Sequence, residues 1–236
     1  MLFLKFIIGL ILLPACWVSI ETFFLLFKKE ALSGRFYNSP EFFFFSAGAL
    51  FCGIIFLIGR TNRILMWFYV AGHELTHALF ALLFRGQVSK IHISADGGHI
   101  KTNRNNFIIS LSPYFFPFYT ILGILIWGLA GRFFYTFSET DTFWLYCLIG
   151  FTWMFHIAYT VWMLRSEQSD VKINGKLFSF SLILLINMLV ISALLIIASP
   201  EETFRGFALA WTENLDTFGQ RFTESLREIY RFKSEH

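Results

Sequence analysis

Six stretches of the chain are apolar almost without interruption, at about residues 2–27, 42–58, 64–84, 107–129, 143–164 and 177–199. A hydrocarbon core of about 30 Å is crossed by roughly 20 residues of helix, and each stretch approaches or meets that length. The pattern predicts about six transmembrane helices. Lys5 and Glu21 interrupt the first stretch, the second is short, and Pro113 and Pro117 are expected to kink or split the fourth near one membrane face. Two segments follow other rhythms. Residues 87–103, QVSKIHISADGGHIKTN, alternate apolar and polar side chains around Asp96-Gly97-Gly98, which predicts a β-hairpin beside the membrane. Residues 201–236 set Phe204, Ala208, Trp211, Leu215, Phe218, Phe222, Leu226 and Ile229 at helical spacing. That tail is expected to form an amphipathic helix on the membrane interface or on a partner. The predicted fold class is an all-α polytopic membrane protein carrying one short hairpin, with a membrane domain over residues 1–200 and the tail beyond it.

Composition agrees with the pattern: 56% of the residues are hydrophobic, 20% are aromatic and 32 are Phe, which excludes a large soluble core as the main architecture. A net charge of +3 gives no electrostatic case for nucleic acid as a partner. The Lys and Arg residues serve instead as topology markers. With six crossings, Lys28, Lys29 and Arg35, then Arg85, Lys90, Lys101 and Arg104, then Arg165, Lys172 and Lys176 fall on one side. Lys5, Arg60, Arg63 and Arg132 fall on the other. This bias predicts both termini outside, the third helix running from outside to cytoplasm, and the hairpin on the cytoplasmic face. Cys16, Cys52 and Cys147 sit in apolar runs without a C-x-x-C spacing, so they read as small core residues.

The chemistry is concentrated in WFYVAGHELTHALFALLF, residues 67–84. On a helix, residues four apart share a face, so His73 and His77 can present two imidazoles to one tetrahedral metal. Glu74 stands about 100° round from His73, at the edge of the same face. This is the H-E-x-x-H arrangement in which two histidines hold zinc and the glutamate serves as general base toward water, then passes the proton to the leaving amine. Ionisable groups inside an apolar helix are costly and mark function by default.

The segment AGHELTHALFALLFRGQVSKIHISADGGHIKT, residues 71–102, resembles the site-2 protease family of intramembrane zinc metalloproteases, and in particular its small bacterial members without a PDZ domain. Thr76 stands where that family often has glycine. The resemblance implies a Zn2+ cofactor, a substrate that is a transmembrane protein or a signal-peptide remnant, and a multi-pass location in a bacterial inner membrane with the active site toward the cytoplasm. It also implies a third metal ligand that is an aspartate from a later helix, for which Asp170 in RSEQSDVKINGKLFS, residues 165–179, is the candidate. No Asp-Gly pair accompanies it, and Asp170 would have to fold back toward the metal. His156 competes with it: His156 lies nine residues before Arg165 as His77 lies eight before Arg85, so the two share a depth of about 12–14 Å. His156 is thus a candidate third ligand or a donor to the reaction's oxyanion.

The substrate is expected to add as a strand beside Lys90, Ile91, His92, Ile93 and Ser94. Two other classes remain open on the sequence. One is a catalytically inactive metal-binding membrane protein, a pseudoprotease acting as chaperone or regulator. The other is a metal transporter, which the narrow intramembrane polar set of His73, Glu74, His77, His156 and Asn187 disfavours.

Overall fold

The computed structural model describes residues 2–34, 36–199 and 202–235; Arg35, a topology marker above, lies outside them. The chain forms α1 (Leu2–Ser33), α2 (Pro40–Gly59), α3 (Arg63–Leu83), β1 (Val88–Ser94), β2 (Gly97–Thr102), α4 (Phe107–Leu111), α5 (Phe118–Phe133), α6 (Glu139–Met163), α7 (Ser169–Asn174), α8 (Lys176–Ala198) and α9 (Phe204–Glu235). Short 3-10 turns cover Phe36–Asn38 and Ser112–Tyr114. Several helices begin at side chains that accept from the free N–H groups of the first turn. Ser39 accepts from Phe42, Asn62 from Ile64 and Leu65, and Asn106 from Ile109, while Ser138 and Asp141 form a reciprocal capping box.

Residues Tyr37–Asn174 make one compact unit, which carries the motif. Within it α2 and α6 run parallel: Phe44 stacks on Phe143, Phe51 lies against Phe151, and Phe56 meets Tyr159 and Trp162. Two glycines let the backbones touch. A Cβ on Gly48 would lie 2.0 Å from the Cys147 carbonyl oxygen, and one on Gly150 would lie 2.0 Å from that of Phe45. Such small-residue contacts pack helices where lipid provides no hydrophobic drive. α5 runs the opposite way along α6, with Tyr119 against Phe155, Thr120 hydrogen-bonded to Thr152 (3.0 Å) and Gly123 against Leu148.

The elements between α2 and α5 gather at one end of this three-helix group. β1 and β2 pair antiparallel through a two-residue turn, with Ser94 opposite Gly97 and His92 opposite His99, as the alternation predicted. The hairpin lies back along α3. Asp96 at its tip pairs with Arg63 at the start of the helix (2.9 Å), Gly98 rests on Val70 and Glu74, and Ile93 joins the cluster of Tyr69, Val70 and Tyr159. Of the two arginines expected on the face opposite the hairpin, Arg63 holds the hairpin tip and Arg60 accepts from Tyr159 through its carbonyl.

Among the described residues, four helices are long and apolar enough to cross a membrane: α1, α2, α6 and α8. The pair formed by Phe107–Tyr114 and α5 makes a fifth if it is one span broken by a bend of 82°. The break falls at Pro113 and Pro117, where the sequence predicted it. Length and composition therefore support four or five spans and leave the expected six unconfirmed, α3 being the stretch that does not qualify. His73, Glu74 and His77 dilute its apolar character, and an exposed polar hairpin accompanies it along its length.

The second unit joins Met1–Phe36 to Gly175–His236. α1 and α8 lie side by side, with Gly9 against the Phe178 backbone and the Cys16 thiol donating to the Ser181 carbonyl (3.2 Å). The tail packs in this unit. Trp211 Nε1 donates to Ser19 Oγ (3.0 Å), Asn214 Nδ2 donates to Thr22 Oγ1 (2.9 Å), and Arg221 reaches Glu21 (3.4 Å), which gives the charge that interrupts the first apolar stretch its partner. Farther along α9, Phe222, Leu226 and Ile229 stay exposed, the apolar face of the expected amphipathic helix. Asn187 turns its amide back to the Ile183 carbonyl of its own helix (2.8 Å). All three cysteines are free, and Cys16 and Cys52 are buried.

Candidate metal centre

The helical period of α3 brings His73 and His77 onto one face, with ring centroids 4.8 Å apart. His77 is fixed by the break in the chain that follows the hairpin. Its Nδ1 stands 2.8 Å from the Ile109 carbonyl in α4, and a carbonyl only accepts, so Nδ1 carries a proton and Nε2, which faces Asp170, is the atom that would offer its lone pair to a metal. A backbone carbonyl behind a ligand histidine is a recurrent way of fixing ring and tautomer. His73 Nδ1, by contrast, is buried without a hydrogen-bond partner among the described residues.

Asp170 reaches the same point. After α6 ends, Gln168 ties the turn by donating to the Met163 carbonyl (3.1 Å) and to Ser166 Oγ (2.7 Å). The short helix α7 then folds back, anchored by buried Val171 and Asn174, and carries Asp170 in its first turn. Asp170 Oδ2 lies 3.8 Å from His73 Nε2 and 3.6 Å from His77 Nε2, and it accepts from the Tyr114 hydroxyl at 3.2 Å. Burial pushes the Asp170 carboxyl up, but its pairing with His73 and His77 outweighs that and holds it below the usual carboxylate range, hence ionised at neutral pH.

Two imidazole nitrogens and one carboxylate oxygen, all within 4.8 Å of one another, could hold a metal ion. Tetrahedral zinc with bonds of about 2.0–2.1 Å sets its ligand atoms roughly 3.3–3.5 Å apart. The two Asp170–histidine separations, 3.8 and 3.6 Å, exceed that by a few tenths of an ångström, and the three atoms together lie within 4.8 Å, so the ligands would have to draw in around an ion. A metal held by two histidines and one carboxylate would keep room for a further ligand, and His73, Glu74, His77 and Asp170 line a cavity of about 350 Å³.

Glu74 is buried and lines this cavity without belonging to the ligand group. The hairpin sits directly on it: a Cβ on Gly98 would lie 2.6 Å from Glu74 Cγ and 2.9 Å from its Oε1. The strand that faces the cavity is β2, through Gly97, Gly98, His99, Ile100 and Thr102. Lys90, Ile91, His92, Ile93 and Ser94 of β1, expected to form the substrate edge, are not among the lining residues. The register explains this: β1 is the first strand out from α3, and the return strand swings over the motif. His92 and His99 are both exposed.

His156 is not in the ligand group. It is buried and lines a separate small cavity together with His73, Thr76 and Tyr119. The spacing paired it in depth with His77; the small cavity sets it beside His73, and Asp170 is not among that cavity's lining residues. Sequence reasoning missed Tyr114, which is fully buried with its hydroxyl on Asp170, and it missed the Ile109 carbonyl. The one available signal for Tyr114 was its position between Pro113 and Pro117 at the predicted break. No protein family, curated protein or solved structure matches this chain.

Proposed function

We propose that this protein is a zinc-dependent intramembrane endopeptidase of the site-2 protease type, hydrolysing peptide bonds in or near the transmembrane segments of other membrane proteins. The observation that carries the reading is the convergence of His73, His77 and Asp170 beside Glu74, on a cavity bordered by a strand with an unpaired edge. Zinc bound there would polarise a substrate carbonyl and make water acidic enough to give up a proton near neutral pH. The chain's own residues do the rest. Glu74 takes the water's proton on its carboxylate and hands it to the leaving amine. Tyr114 holds Asp170, the Ile109 carbonyl holds His77, and the edge of β2 over 97–102 aligns an extended substrate backbone by strand addition. A transmembrane substrate must therefore unwind locally before it is cut.

The site lies at one end of the α2, α5 and α6 group, so the reading places it at a membrane face where water can reach. α2 and α5 run oppositely, which leaves no net crossing between them for α3 to make. The exposed Lys90 and Lys101 on the hairpin beside α3 also require water. The same face carries Arg63, Arg85, Lys90, Lys101, Arg104 and Arg165, whereas the α5–α6 connection has Arg132 with Glu139 and Asp141. The positive-inside bias supports placing the site toward the cytoplasm, and the site-2 protease reading supplies the bacterial inner membrane.

The test is cleavage of single-pass membrane peptides by purified protein in proteoliposomes. One zinc per chain, cleavage lost to a chelator and cleavage restored by added zinc are expected. Zinc held without cleavage of any peptide in a broad panel would favour the non-catalytic regulator, and absence of bound metal would sink the reading. Gly98→Ala gives a finer check: the added methyl displaces the Glu74 carboxylate but touches no ligand. Zinc content should be unchanged and turnover should fall about 10²-fold, the scale of a 1 Å misplacement.

A further inference from the structure

We propose that one buried water joins the metal ligand His73 to His156, which makes His156 a positioning residue of the metal centre. The inference rests on the metal-site reading above and not on the protease activity. His73 directs Nε2 toward Asp170 (3.8 Å), so Nδ1 lies on the opposite side of the ring. When Nε2 binds a metal, Nδ1 must carry the ring proton, and a buried N–H needs an acceptor. His77 has the Ile109 carbonyl for this purpose; His73 Nδ1 has no partner among the described residues.

The acceptor fits the space behind the ring. His73 lines both the metal-side cavity and the small cavity that His156 also lines. The small one has a volume of about 20 Å³, enough for one water molecule and too little for two. Its apolar walls include Phe116, Phe118 and Phe155, so its polar groups are few and specific. Thr76 Oγ1 donates to the Gly72 carbonyl (2.7 Å) and keeps a lone pair for a water proton. The Tyr119 hydroxyl is committed to the Phe68 carbonyl (2.6 Å). The water thus accepts from His73 Nδ1 and donates to His156 and Thr76, giving His73 the relay that a direct carbonyl gives His77. This also accounts for two histidines at equal depth of which only one is a ligand.

The experiment compares zinc affinity by chelator competition, and the visible spectrum of the cobalt-substituted protein, in wild type, His156→Phe and His156→Gln. His156→Phe keeps the bulk and removes the hydrogen bond. It should weaken zinc binding about 10- to 100-fold, the usual cost of losing such a support, and alter the cobalt spectrum; His156→Gln, which can still pair with the water, should recover most of both. Wild-type affinity and spectrum in His156→Phe would overturn the inference while leaving the metal site standing, whereas wild type that binds no zinc would strike the metal reading itself. A structure of the zinc-loaded wild-type protein with ordered solvent gives an independent test if the variants fail to fold. One water bridging His73 Nδ1 and His156 is expected, and a dry cavity or a direct contact between the rings overturns the proposal.

Discussion

Glu74→Gln is expected to bind zinc as wild type does and to lose peptide hydrolysis by at least about 10²–10⁴-fold, the usual contribution of a positioned general acid–base. The amide matches the carboxylate in size, so the packing of Gly98 and Val70 against this side chain is kept. What disappears is the ability to take a proton from water. Glu74 lies outside the group formed by His73, His77 and Asp170, so the metal count should not change. Single-turnover cleavage in proteoliposomes, with metal measured on the same preparation, separates the two effects. Full activity in the variant would remove the mechanism. Loss of zinc would instead reassign Glu74 as a ligand.

The sequence was most informative where the physics is local. His73 and His77 share a face because of helix periodicity alone, and the Asp-Gly-Gly stretch marks a hairpin because of backbone sterics alone; both features appear, with the turn itself at Ala95 and Asp96 and the glycines opening β2. The split at Pro113 and Pro117 was legible for the same reason. Topology was less so, because a hydropathy window treats α3 as another apolar helix and cannot register a hairpin folded back along it. Arg63 illustrates the gap: it reads as a charge at the far end of a span from the hairpin, yet it pairs with Asp96 at the hairpin tip. Alternation likewise identifies two strands without saying which one borders the cavity. Depth counting found His156 beside the site but could not assign its direction, because equal depth on two helices leaves the rotation about each axis undetermined. The contact of Tyr114 with Asp170 depends on two chain breaks, one after α4 and one after α6, meeting in space, and no pattern within either segment encodes that meeting.

Asp170→Ala should weaken zinc binding by about 100-fold or more, beyond the usual cost of losing a group that only supports a ligand. The carboxylate supplies the one negative charge in a set whose other two donors are neutral imidazoles, and it is ionised across the neutral range. Its position is specified from two directions: by the fold-back of α7, and by the Tyr114 hydroxyl at 3.2 Å. Asp170→Asn keeps the shape and removes the charge, so it should fall between Asp170→Ala and wild type. Tyr114→Phe leaves the charge and removes its support, and should cost less than either. Zinc titration of the three variants beside wild type reads this order directly. It distinguishes a ligand from a residue that merely neighbours the histidines, because for a neighbour Asp170→Ala and Tyr114→Phe would be equally mild. Unaltered affinity in Asp170→Ala would move the third ligand elsewhere, and His156 would then return as the candidate, through rotation of its ring toward the metal-side cavity.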